Sequence, residues 1–172
     1  MNTAASSSVR LRALEPEDLD LLYRIENDER LWAVGPTSVP YSRYALHDYV
    51  AHQTGDIYTE RQVRLVIEID GKDVAGLVDV VNFDPKHLRA EVGMVVEQPY
   101  RGRGVGRAAL FCLHDYALST LHLHQLYADI AVSNAASLAL FEKAGYSPCG
   151  TFRQWLLVGD SFVSSTRMQL IL

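Results

Sequence analysis

Between Glu91 and Arg107 the chain reads EVGMVVEQPYRGRGVGR: an apolar β-branched run, a proline, a loop that alternates glycines with arginines, and then an apolar helix. No other stretch limits the fold so sharply. Residues 93–96 predict a strand, and Pro99 ends it because proline cannot donate to a sheet ladder. From Val105 the apolar residues recur at helical spacing, Val105, Ala108, Ala109, Cys112 and Tyr116, flanked by Leu110, Leu113 and Ala117. A glycine loop that opens a helix exposes the first backbone N–H groups, which have no internal partner, together with the positive end of the helix dipole. Such a site binds phosphate. Glycines let the backbone approach an anion closely, and Arg101, Arg103 and Arg107 add charge-assisted contacts. The alternative is an ordinary turn with solvated arginines.

The spacing decides which phosphate site this is. The dinucleotide fingerprint needs G-x-G-x-x-G, but the glycines here are Gly102, Gly104 and Gly106. A P-loop needs a Lys-Ser or Lys-Thr pair after the loop, and none follows. The loop does fit Arg-x-x-Gly-x-Gly, with Arg101, Gly104 and Gly106. Downstream, Asn134, Ser137, Leu140, Phe141, Glu142, Lys143, Gly145 and Tyr146 fit N-x-x-S/A-x-x-L-Y/F-E-K-x-G-F/Y. On these two motifs, in this order and separated by a helix and a strand, the chain resembles the GNAT superfamily of acyl-CoA-dependent N-acyltransferases. The resemblance covers 9–172.

That resemblance implies a single α/β GNAT domain over 9–172. The expected sheet is mixed and mostly antiparallel, with about seven strands, a central parallel pair and about four helices. It implies acetyl-CoA as cosubstrate. Arg101, Gly102, Arg103, Gly104, Val105, Gly106 and Arg107 would hold the CoA pyrophosphate. Backbone groups of Val95 and Val96 would bond the pantetheine amide and the thioester oxygen in a gap between splayed strands. Asn134 is a candidate contact to CoA, or a plain helix N-cap. Lys143 suits a helix C-terminus.

One residue departs from the family pattern: Phe141 stands where many members carry the tyrosine that protonates the leaving thiolate. Tyr146 reads as packed aromatic, so no general acid is assigned. For the general base, Glu91 is the candidate, working through a water; the competing reading pairs it with Arg89 or Arg64. Asp79, isolated in an apolar strand, is a second candidate. His114, His122 and His124 raise a metal site, but no carboxylate or cysteine stands at ligand spacing, so no metal is assigned.

The rest of the chain agrees with this frame. Its 172 residues fit one domain with a sizeable core, and 48% hydrophobic with 22% charged residues is a globular composition. A net charge of −5 argues against non-specific nucleic-acid binding and allows a cationic partner. Cys112 and Cys149 form no disulfide framework or metal knuckle, which fits a reducing cytoplasm. Residues 1–8 read as a polar, disordered tail without signal-peptide character, and no apolar run reaches membrane-spanning length.

Strands are expected over 9–13, 62–70, 72–83, 88–97, 124–132, 146–157 and 162–171. Helices are expected from 15 to about 27, over 41–52, from 104 to about 120, and over 137–144, with a break at 35–40. The branch most resembled holds spermidine acetyltransferases and ribosomal-protein N-terminal acetyltransferases. Ala90-Glu91 and the acids Glu15, Glu17, Asp18, Asp20, Glu26, Asp28 and Glu29 point to a small cationic amine such as spermidine. A protein N-terminus and a CoA-binding sensor without turnover are the alternatives, and a homo-oligomer is compatible with any of them.

Overall fold

The computed structural model describes residues 8–32 and 39–172. All but Ser8 of the expected tail over 1–8, and most of the expected break at 35–40, lie outside the described residues. In chain order the elements are β1 (Val9–Ala13), α1 (Leu19–Glu26), α2 (Glu29–Trp32), α3 (Arg43–Ala51), α4 (Ile57–Glu60), β2 (Val63–Ile69), β3 (Asp73–Asp84) and β4 (Arg89–Val96). They continue with α5 (Val105–Ser119), β5 (Gln125–Ala131), α6 (Ala135–Lys143), β6 (Ser147–Val158) and β7 (Ser161–Ile171).

The strands make one seven-stranded sheet in the order β1-β2-β3-β4-β5-β7-β6, antiparallel except for the central β4–β5 pair. The parallel pair follows from the α5 crossover, since parallel neighbours need a long connection. The β2–β3 reversal uses Asp70 and Gly71, both at positive φ (53° and 68°). Opposite the end of β4, β3 carries Gly76, where a Cβ would lie 2.0 Å from the Val95 carbonyl oxygen. Only glycine lets the two backbones approach that closely.

Alternation along the strands sends side chains to two cores. On one face Val66, Leu77 and Val95 pack with Leu21, Leu22 and Ile25 of α1 and Leu46 of α3. On the other, Ile67, Val78, Val80, Val92 and Leu126 pack with Ala109, Leu110 and Leu113 of α5 and Phe141 of α6. Burying each such leucine contributes roughly 1.5–3 kcal/mol.

The helix expected from Glu15 begins instead as a 3-10 turn over Pro16–Asp18. The Asp18 carboxylate bonds back to the Glu15 amide (2.9 Å) and holds the Arg12 guanidinium (2.7 and 2.8 Å), which tightens the first turn. The four-residue helices α2 and α4 fall where no helix is expected, being too short to show a periodicity. Among the described residues no helix is long and apolar enough to cross a membrane.

Candidate active site

The central strands part. Rungs join β4 and β5 only at Arg89–Gln125, Ala90–Leu126 and Glu91–Tyr127. Beyond Glu91, β4 stays bonded to β3 up to Val96, and β5 stays bonded to β7 up to Ala131. Both arms of the fork are therefore held from outside while their inner edges face each other without rungs. The Glu97 amide donates to the Ala75 carbonyl on β3 (2.8 Å). Alternate residues turn their backbone groups to the same edge. Those of Val95 thus face β3, and those of Met94 and Val96 face the gap. A row of backbone donors and acceptors at an open edge takes a strand-like partner, which is the chemistry of an amide-bearing pantetheine arm.

β4 leads into α5 and β5 into α6, so two helix N-termini flank the open end. Gly104 is the N-cap of α5 at φ 80°, ψ −3°. Gly102, Arg103 and Gly104 are exposed, whereas Val105 is buried as the first core residue of the helix. At Gly106 a Cβ would press on Leu140 Cδ2 (3.2 Å), so this glycine sets how closely α5 packs on α6. Arg101 donates from Nε to the Val96 carbonyl (2.6 Å), tying the loop to the end of β4. The Arg107 guanidinium lies over the Phe111 ring, 5.3 Å from its centroid. At α6, Asn134 caps the helix by accepting from the Ser137 amide (3.2 Å). This glycine loop, the two helix starts and the open backbone edges fit acetyl-CoA.

Carboxylates line the α1 side. Glu91, at the last rung, accepts from Asn82 Nδ2 (2.7 Å); Asn82 sits at φ 51° in a register shift of β3 that turns it toward Glu91. Neither expected arginine holds Glu91: Arg89 pairs with Asp84 (3.2 Å) and Arg64 with Asp79 and Glu26. Asp79 is therefore a structural ion-pair partner, gripped at both oxygens by Arg64 (2.6 and 3.0 Å). Burial opposes the charge of Arg64, but Asp79 and Glu26 outweigh it and raise its pKa further. A cavity of about 710 Å³ runs between the end of α1, α2 and the second half of β4, lined by Tyr23, Asn27, Asp28, Leu31, Val95 and Glu97 among others. Both carboxylates there are paired, Glu97 with Arg24 (3.1 Å) and Asp28 with Arg30 (2.7 Å).

On the opposite side of the sheet Phe141 is buried and meets Tyr146 edge-on at 4.9 Å between centroids. Tyr146 is 1% exposed, its hydroxyl lies 3.3 Å from His114 Nε2, and burial pushes its phenol far up. It is a core residue. His122 and His124 are exposed and precede β5, so the three histidines do not converge. Among the described residues no group of His, Cys, Asp and Glu could hold a metal ion.

Residues that the motifs leave unmentioned also converge here. Tyr127 stands across the last rung from Glu91, and Arg167 of β7 stacks on it while bonded to Asp129 (2.8 and 2.6 Å). Only the strand register reveals them. In the sequence each is an unremarkable polar residue of a strand.

The model of the acetyltransferase (GNAT) domain matches residues 8–147, and the chain belongs to this family. Spermidine N(1)-acetyltransferase of Escherichia coli (strain K12) is 28% identical over 167 residues, 95% of this chain and 86% of that protein. A putative ribosomal N-acetyltransferase of Bacillus subtilis (strain 168) is 28% identical over 157 residues, 87% of this chain and 84% of that one. Spermidine N-acetyltransferase from Vibrio cholerae, solved in complex with CoA and spermine, superposes with a TM-score of 0.82 at 25% identity, covering 95% of each chain. The protein is an N-acetyltransferase that uses acetyl-CoA.

Proposed function

We propose that the chain transfers acetyl from acetyl-CoA to a primary amine of a polyamine such as spermidine, with Glu91 as the base. The observation that carries this reading is the charge pattern along one face of β4. Glu91 stands at the closed end of the fork and Glu97 beyond its open end, roughly 20 Å apart at about 3.3 Å per residue. Between them on that face lie only Gly93 and Val95. Two carboxylates flanking an uncharged strip suit an acceptor with more than one ammonium; extended spermidine is shorter than this spacing, so both glutamate side chains must lean toward it to engage both of its ends. The spermidine N-acetyltransferase relatives support the same acceptor.

In this reading the loop from Arg101 to Arg107 and the start of α6, Asn134 included, hold the CoA phosphates. The open edge of β4 at Met94 and Val96, next to Val95, takes the pantetheine arm. Glu91, aimed by Asn82, removes the proton that the attacking nitrogen sheds. Cys112 and Cys149 are both free, in keeping with a reducing cytoplasm. Self-association fits as well. A dodecameric form of the Vibrio cholerae enzyme is known, and the β6–β7 hairpin exposes Trp155, Leu157 and Phe162.

The ribosomal N-acetyltransferase relative favours a second acceptor, a protein N-terminus. Initial rates of CoA release on spermidine and on N-terminal peptides, at two ionic strengths, separate the two. Faster turnover of spermidine, falling as salt screens the acids, is expected. Glu97→Gln should raise KM for spermidine about fivefold, the worth of one solvated contact of about 1 kcal/mol, and leave KM for a monoamine in place. Faster turnover of the peptides would refute the polyamine reading, and CoA binding without release on any amine would mark a sensor.

A further inference from the structure

Acetyl transfer leaves a thiolate that a nearby proton donor stabilises, and at the α6 position where the family pattern has a tyrosine this chain has the buried Phe141. We propose that Tyr127 of β5 donates the proton to the leaving sulfur. The assignment rests on Glu91 as the base and on acetyl-CoA in the fork, and on no particular acceptor.

The fork itself places the residue. Tyr127 shares the last rung with Glu91, so their side chains stand side by side on one face, where the two strands begin to part. It is the sole tyrosine of β4 and β5. With the phosphates at the mouth, beside the start of α5, the reactive end of the cosubstrate points to the closed end of the fork. The last rung before the gap carries Glu91 and Tyr127.

Charged groups surround the ring from every neighbouring strand. Glu91 and Arg89 approach from β4, Asp129 from β5 and Arg167 from β7. The Arg167 guanidinium lies 4.4 Å from the ring centroid and 4.9 Å from that of Phe152, and the two oxygens of Asp129 accept from its Nε and Nη2. The Arg167 charge pulls the phenol pKa down, by less than burial and Glu91 push it up, and Asp129 offsets part of it. In the resting protein burial and the Glu91 charge push the phenol upward, so it meets the substrates with its proton on.

The protons and electrons balance. The lone pair of a neutral amine forms the N–C bond, and the C–S bond breaks with its pair on sulfur. Sulfur takes the Tyr127 proton, the nitrogen gives one proton to Glu91, and Glu91 returns it to the tyrosinate across the rung. The products are the amide and the free thiol of CoA.

The test reads the CoA thiol itself, without acceptor. Its ionisation in the binary complex is followed by thiolate absorbance against pH, for the wild type and for Tyr127→Phe. A donor at the sulfur lowers the thiol pKa below that of free CoA, and Tyr127→Phe should reverse this by about tenfold in the ionisation constant, as the loss of a hydrogen bond to a charged atom requires. In turnover, kcat should fall about tenfold or more, and Phe141→Tyr in the same chain should restore part of it from the other side of the fork. A wild-type thiol that ionises in the complex as it does free in solution would overturn the proposal, with no variant needed. So would equal ionisation in both proteins at equal CoA affinity. Failure of the polyamine reading would appear instead as an acceptor preference and leave this titration untouched.

Discussion

Replacing Gly104 by valine tests the proposed role of the Arg101–Arg107 loop in holding CoA. Gly104 caps α5 at φ 80°, ψ −3°, in the left-handed region where an L-residue costs about 1–2 kcal/mol and a β-branched one is a genuine outlier. A Cβ built there meets nothing within 4 Å, so no clash contributes and the whole cost is backbone strain. If the loop keeps its shape, the strain appears as lost stability, at about 2–4 °C of Tm per kcal/mol for a domain of this size. If the loop relaxes, binding must restore the shape, and CoA affinity falls by about 5–30-fold. Valine belongs at the upper end, past tenfold. Calorimetric titration with CoA and a thermal melt, run together, capture either outcome. Gly150 is the control: it also has open space within 4 Å but no left-handed φ, so Gly150→Val should change neither. A Gly104→Val protein with wild-type affinity and wild-type Tm would refute the role of the loop.

Two further outcomes follow from the packing and the charges. Phe141→Tyr should leave the fold intact and either raise kcat or move the basic limb of its pH profile. An unchanged profile would show that the proton comes from elsewhere, as from Tyr127, or that its transfer does not limit the rate. At Asp18 burial opposes the charge, but the Arg12 guanidinium and the Glu15 amide outweigh it and hold the carboxyl below its ordinary range. The stability this contributes is complete above about pH 4 and vanishes as the pH falls through the lower, folded-state value. Asp18→Asn should therefore flatten the acid limb of Tm against pH, and a limb of wild-type steepness would count against the pair.

The sheet was largely legible because its signals are local. Alternation marked β2, Asp70-Gly71 marked its reversal, and the glycine loop marked the start of α5. The fork was not legible from the residues. Parting after Glu91 depends on how β3 and β7 hold the outer edges, and that is a property of register across distant segments. The same limit hid Tyr127 and Arg167, which meet only when β5 and β7 pair. It also hid Asn82, which falls near the end of an expected strand and in the fold donates to Glu91. Asp79 shows the converse. An isolated acid in an apolar strand suggested chemistry, and the fold gives it to Arg64.

Charge counting along α1 must be re-read in the same light. Asp18 is bonded to Arg12, Asp20 to Arg43, Glu26 to Arg64 and Asp28 to Arg30. Asp20 and Asp28 each have an arginine in a local pair, while Arg64 is shared by Glu26 and Asp79 and Arg12 by Asp18 and Glu68, so these acids attract a cation mainly through what the arginines leave uncancelled, and water and salt screen that remainder. Glu15, Glu17 and Glu29 are exposed and contribute to long-range attraction alone. If the acceptor is the proposed polyamine, local recognition of its ammonium groups therefore falls to β4. Glu91 is bonded to the neutral side chain of Asn82. Glu97 must first be released by Arg24, whose side chain is 55% exposed and can swing into water. A monoamine that reaches Glu91 gains nothing from breaking the Arg24–Glu97 pair. A polyamine replaces that bond with one of its own, so the exchange is nearly neutral in charge and selects for a second ammonium at the right distance.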